Sequence, residues 1–501
     1  MLKIIKQFSL KMIIYNTFNT IVPLIERLFG PNSLLKIVHN NDSSYLFTEL
    51  ILTKSIVSLI EYCKSYNPII VLLKVQIVKI NSIFGDGTIR LSFLLSEFIK
   101  HSILLLLKGV RKGTIIKVEP DSQTFINFIK NLLEIIHLNK VKVGCHSDSF
   151  LFNFFKVLYN TKIKKIYQKI FFFQIFYVLK KILLFVNNEI ELNFKILTLK
   201  SLGTIKGFVF NGFVLSCDLR NNFLPKYLGN CLAFFDCSHV NINILYPNLL
   251  NYRTLLLKNH HSNTVPYVLF FKNKFNSINL FNLVKNNIYI IQKLNLKEIQ
   301  SLKKIWKIKN YNNIKNNDTH ELTIVDSFFE YEIFGKKLYL FESFNNYRIL
   351  SFIIMGNNEW EKKFLKSSLK KIIKSFILLI KSKTYIFGAG FIELLTYKYF
   401  HKYYNNRENN NYELLRYFLF SILRIPISLL KSTTNNSLIA MYLIKYMKKH
   451  YEIYLPNIHL KLLTNIKYNK IYDSYILNLY IYLVSIYTFI NIISLDMLII
   501  N

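Results

Sequence analysis

The stretch that most constrains this chain is Phe84-Gly85-Asp86-Gly87-Thr88, with the largely apolar run Leu91–Leu107 directly behind it. Two glycines flanking one aspartate, closed by a threonine and followed by helical periodicity, describe a tight turn at a helix N-terminus. Bare backbone N–H groups gathered there bind phosphate readily, and the aspartate stands where a phosphate-bound Mg²⁺ needs an oxygen ligand. Gly-Asp-Gly is also an ordinary turn sequence, so its neighbours have to decide between the two readings.

At 501 residues the chain exceeds a single core, and two to four domains are expected. Its Ile, Lys, Asn, Phe, Tyr and Leu are enriched while Gly and Pro number only 14 and 9, the imprint of an AT-rich coding sequence. That imprint supplies its own cause for the formal charge of +36, which otherwise raises nucleic acid as a partner. The lysines are dispersed and no nucleic-acid module accompanies them, so nucleic acid is not expected as a partner. Five cysteines, an odd number with no C-x-x-C pair, argue for a reducing compartment and against a disulfide framework or a zinc site.

Membrane insertion is the main competing reading, because Ser474–Leu495 carries no charge and is long enough to cross a bilayer. Polar residues along the run and tyrosines spread through it fit a buried helix of a helical domain better, so no membrane is expected. Met1–Val22 is interrupted by Lys11 and offers no small-residue cleavage site, unlike a signal peptide.

Spacing predicts helices over Lys11–Leu28, Thr53–Tyr62, Ile69–Ile83, Leu91–Lys108 and Phe125–Leu138, with extended segments at Leu34–Val38 and Tyr45–Leu52. Val141–Asn188 reads as helical. Short β-like runs then follow at Phe194–Leu199, Phe208–Leu215, Leu232–Cys237, Val268–Phe271, Leu322–Val325, Tyr331–Phe341 and Ile349–Met355. Lys307–Asn317 reads as a solvated loop. Helical periodicity returns from Trp360 and persists, except over Tyr454–Ile466. A helical block at each end around an α/β insertion implies one outer domain built from both chain ends.

At this point the motifs carry a family likeness. Gly30-Pro31-Asn32, Pro68, Gly85-Asp86-Gly87-Thr88, Ile353-Ile354-Met355-Gly356, Gly388-Ala389-Gly390 with Glu393, Ile425-Pro426, Asp473 and Leu495-Asp496 occur in the order seen in the group II chaperonins. The chain therefore resembles subunits of the CCT (TCP-1) ring. Phe29-Gly30-Pro31-Asn32, Ala233-Phe234-Phe235-Asp236-Cys237 and Ile471-Tyr472-Asp473-Ser474-Tyr475 are most similar to the theta subunits, in strongly divergent form.

The resemblance implies an α+β multidomain chaperonin fold. A mainly helical equatorial domain would come from residues 1–138 and 388–501, a small intermediate domain from 139–194 and 343–387, and an inserted α/β apical domain, which binds substrate, from 195–342. It also implies ATP and Mg²⁺ as cofactors, sister subunits in a double ring and non-native proteins such as actin and tubulin as partners. The implied location is the cytoplasm, either a eukaryotic cytosol or the cytosol-derived compartment of a reduced endosymbiont.

In residues, the resemblance places nucleotide contacts on Gly30, Pro31, Gly85, Asp86, Gly87, Thr88, Gly388, Gly390 and Asp473, with Asp86 as the Mg²⁺ ligand. Thr88 is expected to cap the helix behind it. Ala389 replaces a glycine, which is tolerable if its φ is negative. Two carboxylates that the family uses to cleave the γ-phosphate align with Ser55 and Lys371. Serine orients a water poorly, and a protonated lysine cannot deprotonate one, so nucleotide binding with weak or absent turnover is expected. The readings from other classes are a multi-span membrane protein and a purely structural ring subunit.

Overall fold

A computed structural model describes residues 3–5, 7–30, 33–39, 50–62, 67–109, 123–142, 148–163, 172–177, 193–201, 205–217, 225–228, 231–235, 267–270, 284–285, 287–291, 294, 298, 323–325, 327–333, 336–342, 349–404, 411–434, 454–457, 462–465, 471–495 and 498–500. The chain divides into two compact units, one formed by Met1–Phe172 with Asn358–Asn501 and the other by Phe173–Asn357. Pro31, Asn32, Asp496, the tract 307–317 and residues 405–410 lie outside the described residues.

The first unit is helical: α1 (Gln7–Glu26), α2 (Ile56–Tyr62), α3 (Pro68–Phe84), α4 (Thr88–Leu107), α5 (Gln123–Leu138), α6 (Asp148–Lys162), α7 (Glu359–Ser382), α8 (Phe391–Tyr404), α9 (Asn411–Thr434) and α10 (Tyr475–Ser494). Helix α4 is its centre. Leu91 through Ile99 are buried without a break, which covers every face of the helix, and α1, α9 and α10 pack around it. Phe98 meets Phe418 and Phe489 at ring separations of 5.3 and 6.0 Å, and Phe29 stacks on Phe93. Ser92, Ser96 and Ser102 turn their hydroxyls back onto carbonyls of the same helix, so these polar groups enter the core already satisfied.

Helix α10 is the one helix among the described residues long and apolar enough to cross a membrane. It packs against α4, α5 and α3, and its buried Asn478, Ser485 and Thr488 each hydrogen-bond to a backbone carbonyl one turn earlier. Buried polar positions on the face turned to other helices fit packed core, while Ile476, Leu483 and Tyr487 on the opposite face are exposed.

Periodicity placed these helices to within a few residues. It missed the strands Thr384–Phe387 and Tyr472–Ser474, and it read Val141–Lys142 as helix where the chain is a strand. The three pair into one small antiparallel sheet with Thr384–Phe387 in the middle. Two to four residues are too few to show alternation, and only the pairing makes them strands.

The second unit is built mainly of strands. Ile349–Gly356 lies parallel to Asn193–Lys200 and antiparallel to Lys206–Asn211. Cys231–Phe235, Tyr267–Phe270 and Ile288–Ile291 run parallel, with Thr323–Val325 antiparallel at the edge. Phe208–Leu215 belongs to two strands in different sheets, separated at Gly212, and Tyr331–Phe341 spans the turn of the hairpin Ser327–Ile333 with Lys336–Glu342. Leu199, Val214, Leu338, Leu340, Ile353 and Met355 form a core that joins the two sheets.

Candidate nucleotide site

Helix α3 ends and α4 begins within the three residues Gly85-Asp86-Gly87, a reversal that needs left-handed backbone. Gly85 has φ of 68° and Gly87 has φ of 78°. Gly85 is also closed to a side chain, since a Cβ would come within 2.9 Å of the Lys371 carbonyl oxygen, while a Cβ on Gly87 would meet the movable tip of Ile481, Cδ1, at 2.6 Å. The turn is therefore pressed between α7 and α10. Thr88 does not cap α4 as expected. It is the first helical residue, Gly87 occupies the cap position, and the helix start has no side-chain cap. Its N-terminal N–H groups are left for a ligand or water to satisfy.

This turn forms one wall of a cavity of about 440 Å³ within the first unit. The cavity also touches Gly30, Ser55, Lys162, Lys371, Ala389, Gly390 and Asp473, which the chain brings in from α6, α7 and several loops. Of the expected nucleotide contacts, Gly388 does not border it. That residue lies behind Asp473, where a Cβ would come within 3.1 Å of the carboxyl carbon. Ala389 has φ of +56°, so the negative φ that would excuse the missing glycine is not what the loop adopts. The alanine holds a left-handed conformation against its own Cβ.

Two charged clusters face the cavity. In the first, Arg90 on the opening turn of α4 donates to Glu393 through Nη2 at 2.6 Å and through Nε at 3.1 Å, and to Asp473 through Nη1 at 3.2 Å. Tyr482 donates its hydroxyl to the same Glu393 oxygen at 2.9 Å. Asp473 is set in place by the pairing of its strand with Thr384–Phe387. Burial pushes its carboxyl above the usual range, Arg90 opposes that, and the charges of Asp86 and Glu393 add to the rise. Burial and then Glu393 push the Tyr482 hydroxyl well up.

The second cluster surrounds Asp86. Lys162, the last residue of α6, donates to Asp86 Oδ1 at 2.8 Å and to the Gly85 carbonyl at 3.0 Å. Lys371 on α7 donates to the Ser55 hydroxyl at 2.5 Å across 316 residues of sequence. Ser55 and Lys371, the two positions that the resemblance reads in place of carboxylates, thus meet at the cavity, whereas the adjacent Lys370 is exposed. Burial raises the Asp86 carboxyl, but Lys162 together with the Gly87 N–H and Lys371 brings it below its ordinary value. Burial and the charge of Lys162 drive Lys371 down to about 8, against the smaller pull of Asp86 and Glu61.

Sequence reasoning missed Lys162, Arg90 and Tyr482. Arg90 had a usable signal, a lone arginine two residues past the turn at the head of an apolar run. Lys162 is one of many dispersed lysines and had none.

Mg²⁺ is commonly held by one or two carboxylates with substrate phosphates and waters. Here the single carboxylate at the turn is engaged by one ammonium and has a second nearby, and among the described residues no three His, Cys, Asp or Glu gather as a metal site. The ammonium groups of Lys162 and Lys371 beside Asp86 disfavour a divalent ion there by charge, not by a shortage of ligands.

Residues 257–501 match the TCP-1/cpn60 chaperonin family. The match includes Lys371, Ala389, Glu393 and Asp473, and it ends short of the Gly85–Thr88 turn, which lies in the other half of the chain. No curated protein matches the chain. The family match and the mostly helical architecture fit a chaperonin fold, and they support a chaperonin-like role in protein folding, with ring assembly and non-native substrates in the general sense that the family implies.

Proposed function

We propose that this chain is a divergent subunit of a group II chaperonin ring, most similar to theta subunits, that binds ATP in the cavity at the head of α4 and hydrolyses it weakly or not at all. The single observation that carries the proposal is the convergence at one cavity of Gly85-Asp86-Gly87-Thr88 with Ser55 and Lys371. The glycine turn offers a place for phosphate, while the two positions read in place of catalytic carboxylates carry a hydroxyl and an ammonium, neither of which deprotonates water while the ammonium keeps its proton. On this reading residues 1–138 with 388–501 are the equatorial part, 139–194 with 343–387 the intermediate part and 195–342 the apical part. Sister subunits and non-native proteins such as actin and tubulin are its partners in the cytosol.

The test is binding of ATP to the purified full chain by calorimetry, beside the variant Gly87→Ala. The left-handed φ of 78° strains any Cβ at Gly87, and binding is expected to weaken about tenfold or more with the helical signal retained. Equal binding by the variant would remove the turn from the site. Co-migration with a complex of ring size on native gels, together with an ATPase rate unchanged by Asp86→Ala, checks the ring and turnover parts of the proposal.

A further inference from the structure

Five cationic side chains, Lys54, Arg90, Lys156, Lys162 and Lys371, line the cavity against the two carboxylates Asp86 and Asp473. Arg90 is engaged by Asp473 and the buried Glu393, which concentrates the positive excess on the lysine side, beside the glycine turn. Two of these lysines are fixed in place relative to that turn. Lys162 is held by the Gly85 carbonyl and Asp86. Lys371 is held by Ser55, and its own backbone packs where a Gly85 Cβ would be. The site thus presents preorganised ammonium groups, which act on phosphate as point charges, together with uncapped helix N–H groups.

We propose that the cavity takes a nucleoside triphosphate unaccompanied by a divalent cation, with Lys371 and Lys162 as the fixed cations that balance its phosphates. The inference rests on the nucleotide reading of the same cavity and goes further by removing the metal from it. A dication beside two ammonium groups is repelled, whereas a bare triphosphate is attracted by the same groups. Ser55 holds Lys371 toward the cavity and so acts as its positioning residue.

The experiment titrates ATP into the full chain, once in EDTA and once in excess Mg²⁺. Affinity in EDTA is expected to equal or exceed that in Mg²⁺. Lys371→Met is expected to weaken binding in EDTA about tenfold, and Lys371→Asp is expected to make binding depend on Mg²⁺. Because either substitution could perturb α7, Mn²⁺ paramagnetic resonance of the unmodified chain with ATP supplies an independent readout, with no protein-bound Mn²⁺ expected. Binding that requires Mg²⁺, or a bound Mn²⁺ signal, overturns the inference and leaves the nucleotide reading standing. No ATP binding in either buffer overturns both.

Discussion

The two charged clusters at the head of α4 are built on opposite principles. Around Arg90 the hydrogen bonds close: Glu393, exposed by only 1%, takes two guanidinium hydrogen bonds and the Tyr482 hydroxyl, and Asp473 takes a third from Arg90, so one cation serves two carboxylates. Around Asp86 the two ammonium groups of Lys162 and Lys371 face one carboxylate directly, with Glu61 a smaller pull on Lys371, which is held down to about 8. A closed network fixes the geometry of α4, α8 and α10. An open one with surplus charge costs stability in the empty protein and is relieved by an anion.

The largest effect tests the closed cluster. Glu393→Leu leaves Arg90 buried with only the weaker Asp473 contact, and a loss of about 3–5 kcal/mol in unfolding free energy is expected from denaturant titration. A loss near zero would mean that Arg90 escapes to solvent and that the clusters do not differ.

The open cluster predicts the reverse sign, with a particular pH dependence. Lys371 sits near 8 in the folded protein and near 10.5 unfolded, so between those values the unfolded chain binds more protons. Stability from this group therefore falls as pH drops from 10.5 to 8, and the full penalty remains below 8. Lys371→Met is expected to be more stable than the parent at neutral pH, with the gain shrinking toward pH 10.5. Denaturation midpoints collected against pH check this, and a gain independent of pH would assign the effect to packing.

The smallest effect concerns the loop between the clusters. Ala389→Gly removes a Cβ from a left-handed residue at φ of +56° and is expected to stabilise by about 1 kcal/mol, read as a rise in Tm. Destabilisation would show that this side chain's packing outweighs its strain.

The main helices were legible because each writes its period into many residues. Leu91–Leu107 shows an apolar run with serines and a few charges, and α10 shows an uncharged one. The sheet that holds Asp473 was not legible, since Val141–Lys142, Thr384–Phe387 and Tyr472–Ser474 are too short to carry a pattern and exist through pairing. At the cavity, Thr88 as a cap was a reasonable expectation from residue type, and the alanine at 389 was readable as tolerable only on condition of a negative φ. The cap failed because the glycine one residue earlier takes that position, and the condition at Ala389 is not met because the turn keeps its left-handed form.

The sequence by itself determined the Gly85–Thr88 turn and the helix behind it, because the φ demands of two glycines and the burial of an apolar run are local or nearly so. Only the tertiary structure decided what faces that turn. Lys162 reaches it across 76 residues, Lys371 meets Ser55 across 316, and Glu393 meets Arg90 across 303. Charge pairing acts through space and leaves no periodic trace in the chain, so the places of α6, α7 and α8 around the turn had to be known first.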